Sequence, residues 1–111
     1  MKCFCILIAL AAIIIVISAK KFRLYEKVNY EGEYMDFTAD DYKCHNSINE
    51  TFDNRGSSII TYGDCVVLFE DPGCTGLFRT FKSNCTRPGC GFRKDLSTCG
   101  FNDMASSFRF C

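Results

Sequence analysis

Leu24-Tyr25-Glu26-Lys27-Val28-Asn29-Tyr30-Glu31-Gly32 decides how this chain folds, because Leu68-Phe69-Glu70-Asp71-Pro72-Gly73-Cys74-Thr75-Gly76 restates it 44 residues later. Each stretch is followed by a second echo. The first is Asp53-Asn54-Arg55-Gly56-Ser57-Ser58, and the second is Asn102-Asp103-Met104-Ala105-Ser106-Ser107. A repeat of this length is the signature of one supersecondary unit used more than once.

The residues around these echoes form short β-branched and aromatic runs. They are Phe22 to Tyr25, Tyr34 to Phe37, Ser58 to Tyr62, Val66 to Phe69, Leu77 to Phe81 and Phe108 to Phe110. Several alternate apolar with polar residues, as half-buried strands do, and Gly, Asn, Asp and Pro clusters separate them. No long helical periodicity competes, so the chain reads as an all-β sandwich or barrel. Within each unit the first two runs are joined by Lys27 to Glu33 or by Asp71 to Leu77. Such a seven-residue segment predicts a folded-over loop rather than a two-residue turn. Gly32 and Gly76 fall where a positive φ is needed. Tyr25 and Tyr30 are placed to stack and close the first loop. Cys74 stands where the second unit should have its matching aromatic, and a disulfide from it is the expected substitute.

Outside the repeat, the amino terminus carries Lys2, an apolar run from Cys3 to Ile17, and the small residues Ser18-Ala19. That order is a secretory signal peptide, residues 1–19, with a mature domain over 20–111. The 15-residue run falls short of the roughly 20 residues that span a bilayer, which disfavours a membrane anchor. Loss of Lys2 leaves 12 basic against 13 acidic residues, a net charge of −1, and no Lys/Arg-dense stretch. Nucleic acid is therefore not an expected partner.

A domain of this size buries a modest core and needs covalent help. Seven cysteines remain after the signal: Cys44, Cys65, Cys74, Cys85, Cys90, Cys99 and Cys111. In an oxidising compartment they read as a disulfide framework. Zinc is a poor rival, with His45 alone and no mature CxxC pair. Three bridges leave one thiol, which is either buried or available for a disulfide-linked dimer. Cys111 is one candidate for such a link, and a bridge back into the domain is the alternative. The second unit is five residues longer than the first, since Ser58 to Ser107 is 49 residues against 44 for Gly32 to Gly76. The excess lies between Phe81 and Asn102, among Cys85, Cys90 and Cys99, and predicts an enlarged loop stapled by cysteines.

Aromatic-x4-aromatic-x-Gly (Tyr25, Tyr30, Gly32) followed by Asx-Asx-x-x-Ser-Ser, twice over residues 22 to 110, resembles a βγ-crystallin domain. The resemblance implies a β-sandwich of two Greek-key motifs, about 22–63 and about 65–111. Cys74 in place of an aromatic, Asn54 where Asp is common, and the cysteine-rich insertion depart from that pattern.

The two Asx-Asx-x-x-Ser-Ser loops gather carboxylate, amide, hydroxyl and carbonyl oxygens, the hard ligands that calcium takes six to eight at a time. The same residues also build turns without any metal. The resemblance implies two sites formed by exchange between the loops. One site uses the Glu26 carbonyl, the Arg55 carbonyl, Ser57 and Asp103. The other uses the Glu70 carbonyl, the Met104 carbonyl, Ser106 and Asn54. Only Asp103 brings a carboxylate directly, so weak binding suited to extracellular calcium is expected, tighter at the Asp103 site.

Asn49-Glu50-Thr51 and Asn84-Cys85-Thr86 fit the N-glycosylation pattern. His45 has no nucleophile arrangement beside it and is expected on a surface loop. No nucleophile–base pair or cofactor loop suggests an enzyme. Phe92-Arg93-Lys94 is expected to be a solvated patch. Two readings follow. One is a secreted, calcium-binding structural or interaction module with an extracellular protein or membrane target. The other is a secreted venom or host-defence effector on the same scaffold.

Overall fold

Each of the six short apolar runs lies in a strand, except that Thr61 and Tyr62 fall beyond the end of the third. The strands are β1 (Lys20–Lys27), β2 (Glu31–Ala39), β3 (Ser58–Ile60), β4 (Val66–Asp71), β5 (Thr75–Phe81) and β6 (Ser107–Phe110). The computed structural model describes residues 19–48, 52, 54–82 and 93–111. Outside these described residues lie 1–18 of the expected signal peptide, both glycosylation candidates Asn49 and Asn84, the loop residue Asp53, and Cys85 and Cys90.

The strands form two antiparallel three-stranded sheets, ordered β2-β1-β3 and β5-β4-β6. Alternation sets their inner faces. Phe22 and Leu24 on β1 are fully buried, while Lys21, Arg23 and Tyr25 point to the opposite face of the sheet. Phe22, Leu24, Phe37 and Ile59 of the first sheet join Val66, Leu68, Phe81, Phe108 and Phe110 of the second in one core. Phe22 meets Phe108 edge-on at 4.9 Å and Phe110 at 5.8 Å between ring centroids. Such pairs add about 0.5–1.5 kcal/mol beyond area burial, and here they lock one sheet face to the other. The all-β sandwich read from the sequence is the observed architecture.

Each half sends a segment across to the sheet of the other, which makes it a Greek key rather than a simple meander. After β2 the chain lays His45 beside β6, where His45 N–H donates to Phe108 O (2.8 Å) and Phe108 N–H to His45 O (3.0 Å). Reciprocally, Ile59 N–H donates to Arg93 O (2.9 Å) and Asn29 N–H to Lys94 O (2.7 Å). His45 is thus not a plain surface-loop residue. Its ring stacks on Phe108 at 5.2 Å and shares a 2.8 Å hydrogen bond with Asp41. That bond, with a second from Lys43 N–H, holds the Asp41 carboxyl below the usual carboxylate range. Arg93 and Lys94 likewise use their backbone to bind the first key, so this part of the expected solvated patch is a structural crossover.

The hairpin connections are shorter than the seven residues expected. β1 and β2 pair out to Lys27 with Glu31, and β4 and β5 out to Asp71 with Thr75, each after a register shift. Only Val28–Tyr30, a 3-10 turn, and residues 72–74 remain to close them. The bulge rotates the chain so that the loop folds back over its own sheet. Gly32 and Gly76 both take φ +80° beside it.

Cys44 is bonded to Cys74, and Cys65 to Cys111. Cys111 therefore bridges back into the domain rather than linking two chains. Cys74 makes the substitute closure expected for its hairpin. Cys99, in contrast, is a free thiol, which corrects its place among the disulfide candidates and its part in a stapled loop. The reason is local. Asp95 accepts from Ser97 N–H (3.0 Å) and starts a 3-10 turn, Leu96–Cys99, that drives Leu96 and Cys99 into the core with Phe101. The Cys99 thiol donates to Leu96 O at 3.3 Å, and burial pushes its pKa up.

Candidate functional site

Ser58 and Ser107 build the frame on which the loops sit. Both are fully buried. Ser58 Oγ donates to Lys27 O (2.6 Å) and accepts from Tyr30 N–H (3.1 Å). Ser107 Oγ donates to Asp71 O (2.6 Å) and accepts from Cys74 N–H (2.9 Å). The backbone of each folded hairpin is thus satisfied by the hydroxyl that ends the Asx-Asx-x-x-Ser-Ser echo of the same key. Tyr25 and Tyr30 pack at 5.6 Å across the first hairpin, as their spacing predicts, and burial pushes the Tyr30 phenol pKa up.

The preceding serines anchor each loop to its own sheet. Ser57 N–H donates to Tyr25 O and Ser106 N–H to Phe69 O, both at 2.8 Å. The loops then cross. Asp103 N–H donates to Gly56 O (2.8 Å), and Asn54 N–H donates to Ala105 O (3.1 Å). Asn54 and Asp103 take φ +59° and +56°, a left-handed turn that Asn and Asp tolerate better than most side chains. That conformation aims each side chain at the serine of the opposite key. Ser57 Oγ lies 3.2 Å from Asp103 Oδ1, and Ser106 Oγ lies 3.2 Å from Asn54 Oδ1.

The candidate ligands thus fall in two groups related by the duplication. Ser57 and Asp103 meet beside Arg55 and Glu26. Ser106 and Asn54 meet in the matching place of the other key, whose loop and hairpin carry Met104 and Glu70. An ion pair joins the Arg55 guanidinium to the Glu26 carboxylate, so the first group has a tie between loop and hairpin side chains. Methionine at 104 carries no charge with which to pair Glu70.

Asn102, the first Asx of the second loop and not among the expected ligands, supports the first group. Its Nδ2 donates to Asp103 Oδ2 at 3.1 Å, leaving Oδ1 toward Ser57. Its own Oδ1 is buried with no hydrogen-bond partner among the described residues. The signal was present in the first Asx of the loop. Ser58 and Ser107 end the two echoes, but their bonding to the hairpins needs the tertiary fold.

The donor chemistry suits a hard divalent cation. Hydroxyl, carboxylate, amide and carbonyl oxygens are what calcium takes, and nitrogen or sulfur donors are not among the candidates. Asn102 Oδ1, with no donor among the described residues, adds an acceptor beside the Asp103 group. The residues present therefore fit calcium, which would be held by Ser57, Asp103 and the Glu26 and Arg55 carbonyls, and by Ser106, Asn54 and the Glu70 and Met104 carbonyls. Bound there, the ion would cross-link the loops rather than perform chemistry.

A scan against protein-family models and a search of curated proteins gave no match. Comparison with solved structures did. A βγ-crystallin from Ciona intestinalis is similar over 82% of this chain and 99% of its own, with 22% identity and a TM-score of 0.63. A βγ-crystallin from an archaeon is similar over 85% of this chain and 100% of its own, with 20% identity and a TM-score of 0.65. The fifth crystallin domain of the non-lens protein Absent in melanoma 1 is similar over 86% and 90%, with 20% identity and a TM-score of 0.59. Two Greek keys, crossed loops and a shared core lead to the same place as these likenesses: the chain has the βγ-crystallin fold.

Proposed function

We propose that this protein is a secreted structural or interaction module that binds calcium weakly at two sites, each shared between its Greek keys. The observation that carries the reading is the pair of cross-key contacts, Ser57 with Asp103 and Ser106 with Asn54, each at 3.2 Å. They unite hydroxyl and Asx oxygens that lie far apart in sequence, at the two equivalent places where calcium needs them. One direct carboxylate between two sites keeps the charge low, which fits Kd values of roughly 10⁻⁴ to 10⁻³ M, the range of extracellular modules. The Asp103 site is the tighter of the two. Two disulfides in a small β domain fit the oxidising compartment that the amino-terminal sequence suggests.

Calorimetric titration of the mature domain with calcium, together with thermal unfolding, tests the reading. Calcium at ten times Kd stabilises the folded state by about 1.4 kcal/mol per site. For a domain of this size that raises Tm by roughly 6–11 °C. No heat and no rise in Tm at 10 mM calcium would overturn it.

A further inference from the structure

Glu26 and Arg55 hold a double position in the first site. Their backbone carbonyls are the proposed hairpin and loop ligands, and their side chains pair with each other. The ion pair therefore ties hairpin to loop in the first key and offsets the charge of the Glu26 carboxylate. The second key offers an internal comparison. Glu70 matches Glu26, but Met104 stands where Arg55 does, so the same tie cannot form there.

We propose that the Glu26–Arg55 ion pair sets the calcium affinity of the first site, holding it below what its two acidic residues would otherwise give. The inference rests on the calcium reading above. A guanidinium beside a cation site opposes a divalent ion, and its removal leaves Glu26 as a second, unpaired carboxylate near Asp103. Two charges on the ion double its attraction to that carboxylate. In near-aqueous surroundings the gain amounts to roughly three- to tenfold in affinity. Salt screens such a term over about 10 Å at 0.1 M, so the gain shrinks as ionic strength rises. The ion pair also ties loop to hairpin. That contribution acts in the opposite direction, and the charge term is the larger because both side chains are partly exposed and a surface tie contributes little.

The substitution Arg55→Met, which gives the first loop the residue of the second, is titrated calorimetrically with calcium at low and physiological salt. Arg55→Gln is a second variant in case methionine perturbs folding. Tightening of the first site by about three- to tenfold at low salt, less at high salt, is the expected result. Glu26→Gln removes one carboxylate from the first site and weakens it. Calcium binding by the parent protein with an unmoved or weaker affinity in both Arg55 variants overturns the inference alone. No calcium binding by the parent overturns the calcium reading and the inference with it.

Discussion

Ser57 donates its hydroxyl to Asp103 Oδ1 across 3.2 Å although 46 residues separate them, and 52 residues separate the matching pair Ser106 and Asn54. Each loop thus carries a side chain that belongs to the other key's site. Because the crossing is anchored by backbone bonds, Asp103 N–H to Gly56 O and Asn54 N–H to Ala105 O, the loop path does not depend on either side chain.

Asp103→Asn keeps shape and hydrogen bonding and removes the direct carboxylate. Calcium affinity at the first site should fall about tenfold, as ligand charge count tunes such sites, while the Asn54 site keeps its own. Calorimetry resolving two sites checks this, and an equal loss at both would contradict the assignment.

Ser58→Ala and Ser107→Ala each strip a buried hydroxyl from a hairpin and orphan a backbone N–H, of Tyr30 or of Cys74, and a carbonyl. A loss of about 1–3 kcal/mol is expected from each, the cost of unsatisfied buried partners. Urea unfolding measures it as a lower midpoint at unchanged m-value. Substitution of the exposed Ser97 should change little, within about 0.5 kcal/mol.

Removal of the Cys44–Cys74 bridge by paired alanines should cost about 3–4 kcal/mol, since it closes a separation of 30 residues. Peptide mapping of the oxidised protein should recover Cys44 with Cys74 and Cys65 with Cys111. Cys99 should resist alkylation until the domain unfolds, because it is buried in the core and its thiol pKa is raised. Alkylation of native Cys99 at the rate of a free cysteine would contradict its placement.

Asp36 gives a pH dependence of known sign. Arg23 donates to it twice, at 2.7 and 3.0 Å, and these hydrogen bonds hold its carboxyl below the usual range. A depressed folded pKa means that the contribution is full above the unfolded carboxylate pKa of about 4 and is lost as pH falls through the folded value. The pair is partly exposed, so its worth is about 0.2–1 kcal/mol. Asp36→Asn should therefore lower stability at pH 7 by that amount and by progressively less below pH 4. Urea midpoints for both proteins from pH 7 to pH 2.5 provide the check, and a difference that grows with acid would reverse the assignment.

The strands were legible because their cause is local. Alternation in Phe22-Arg23-Leu24-Tyr25 and the β-branched runs at Ile59-Ile60 and Val66-Val67 commit these residues to extended backbone whatever lies opposite. The duplication was equally legible, since Gly32 and Gly76 and the paired serines serve the same turn twice. Less visible was the hairpin length, because pairing of Lys27 with Glu31 depends on a bulge created by the neighbouring strand. The free state of Cys99 was hidden too: a cysteine's fate follows from where its turn is pressed, and Leu96 and Phe101 press this one into the core.

By itself, then, the sequence determined the all-β class, the two units, and the oxygen-rich loops, all of which rest on short local patterns and their repetition. Only the tertiary structure decided that Cys44 meets Cys74, that His45 seals the second sheet through Phe108, and that Glu26 lies against Arg55. These contacts join residues 29 to 63 positions apart, where no local preference operates and only the packing of two sheets around a common core brings them together.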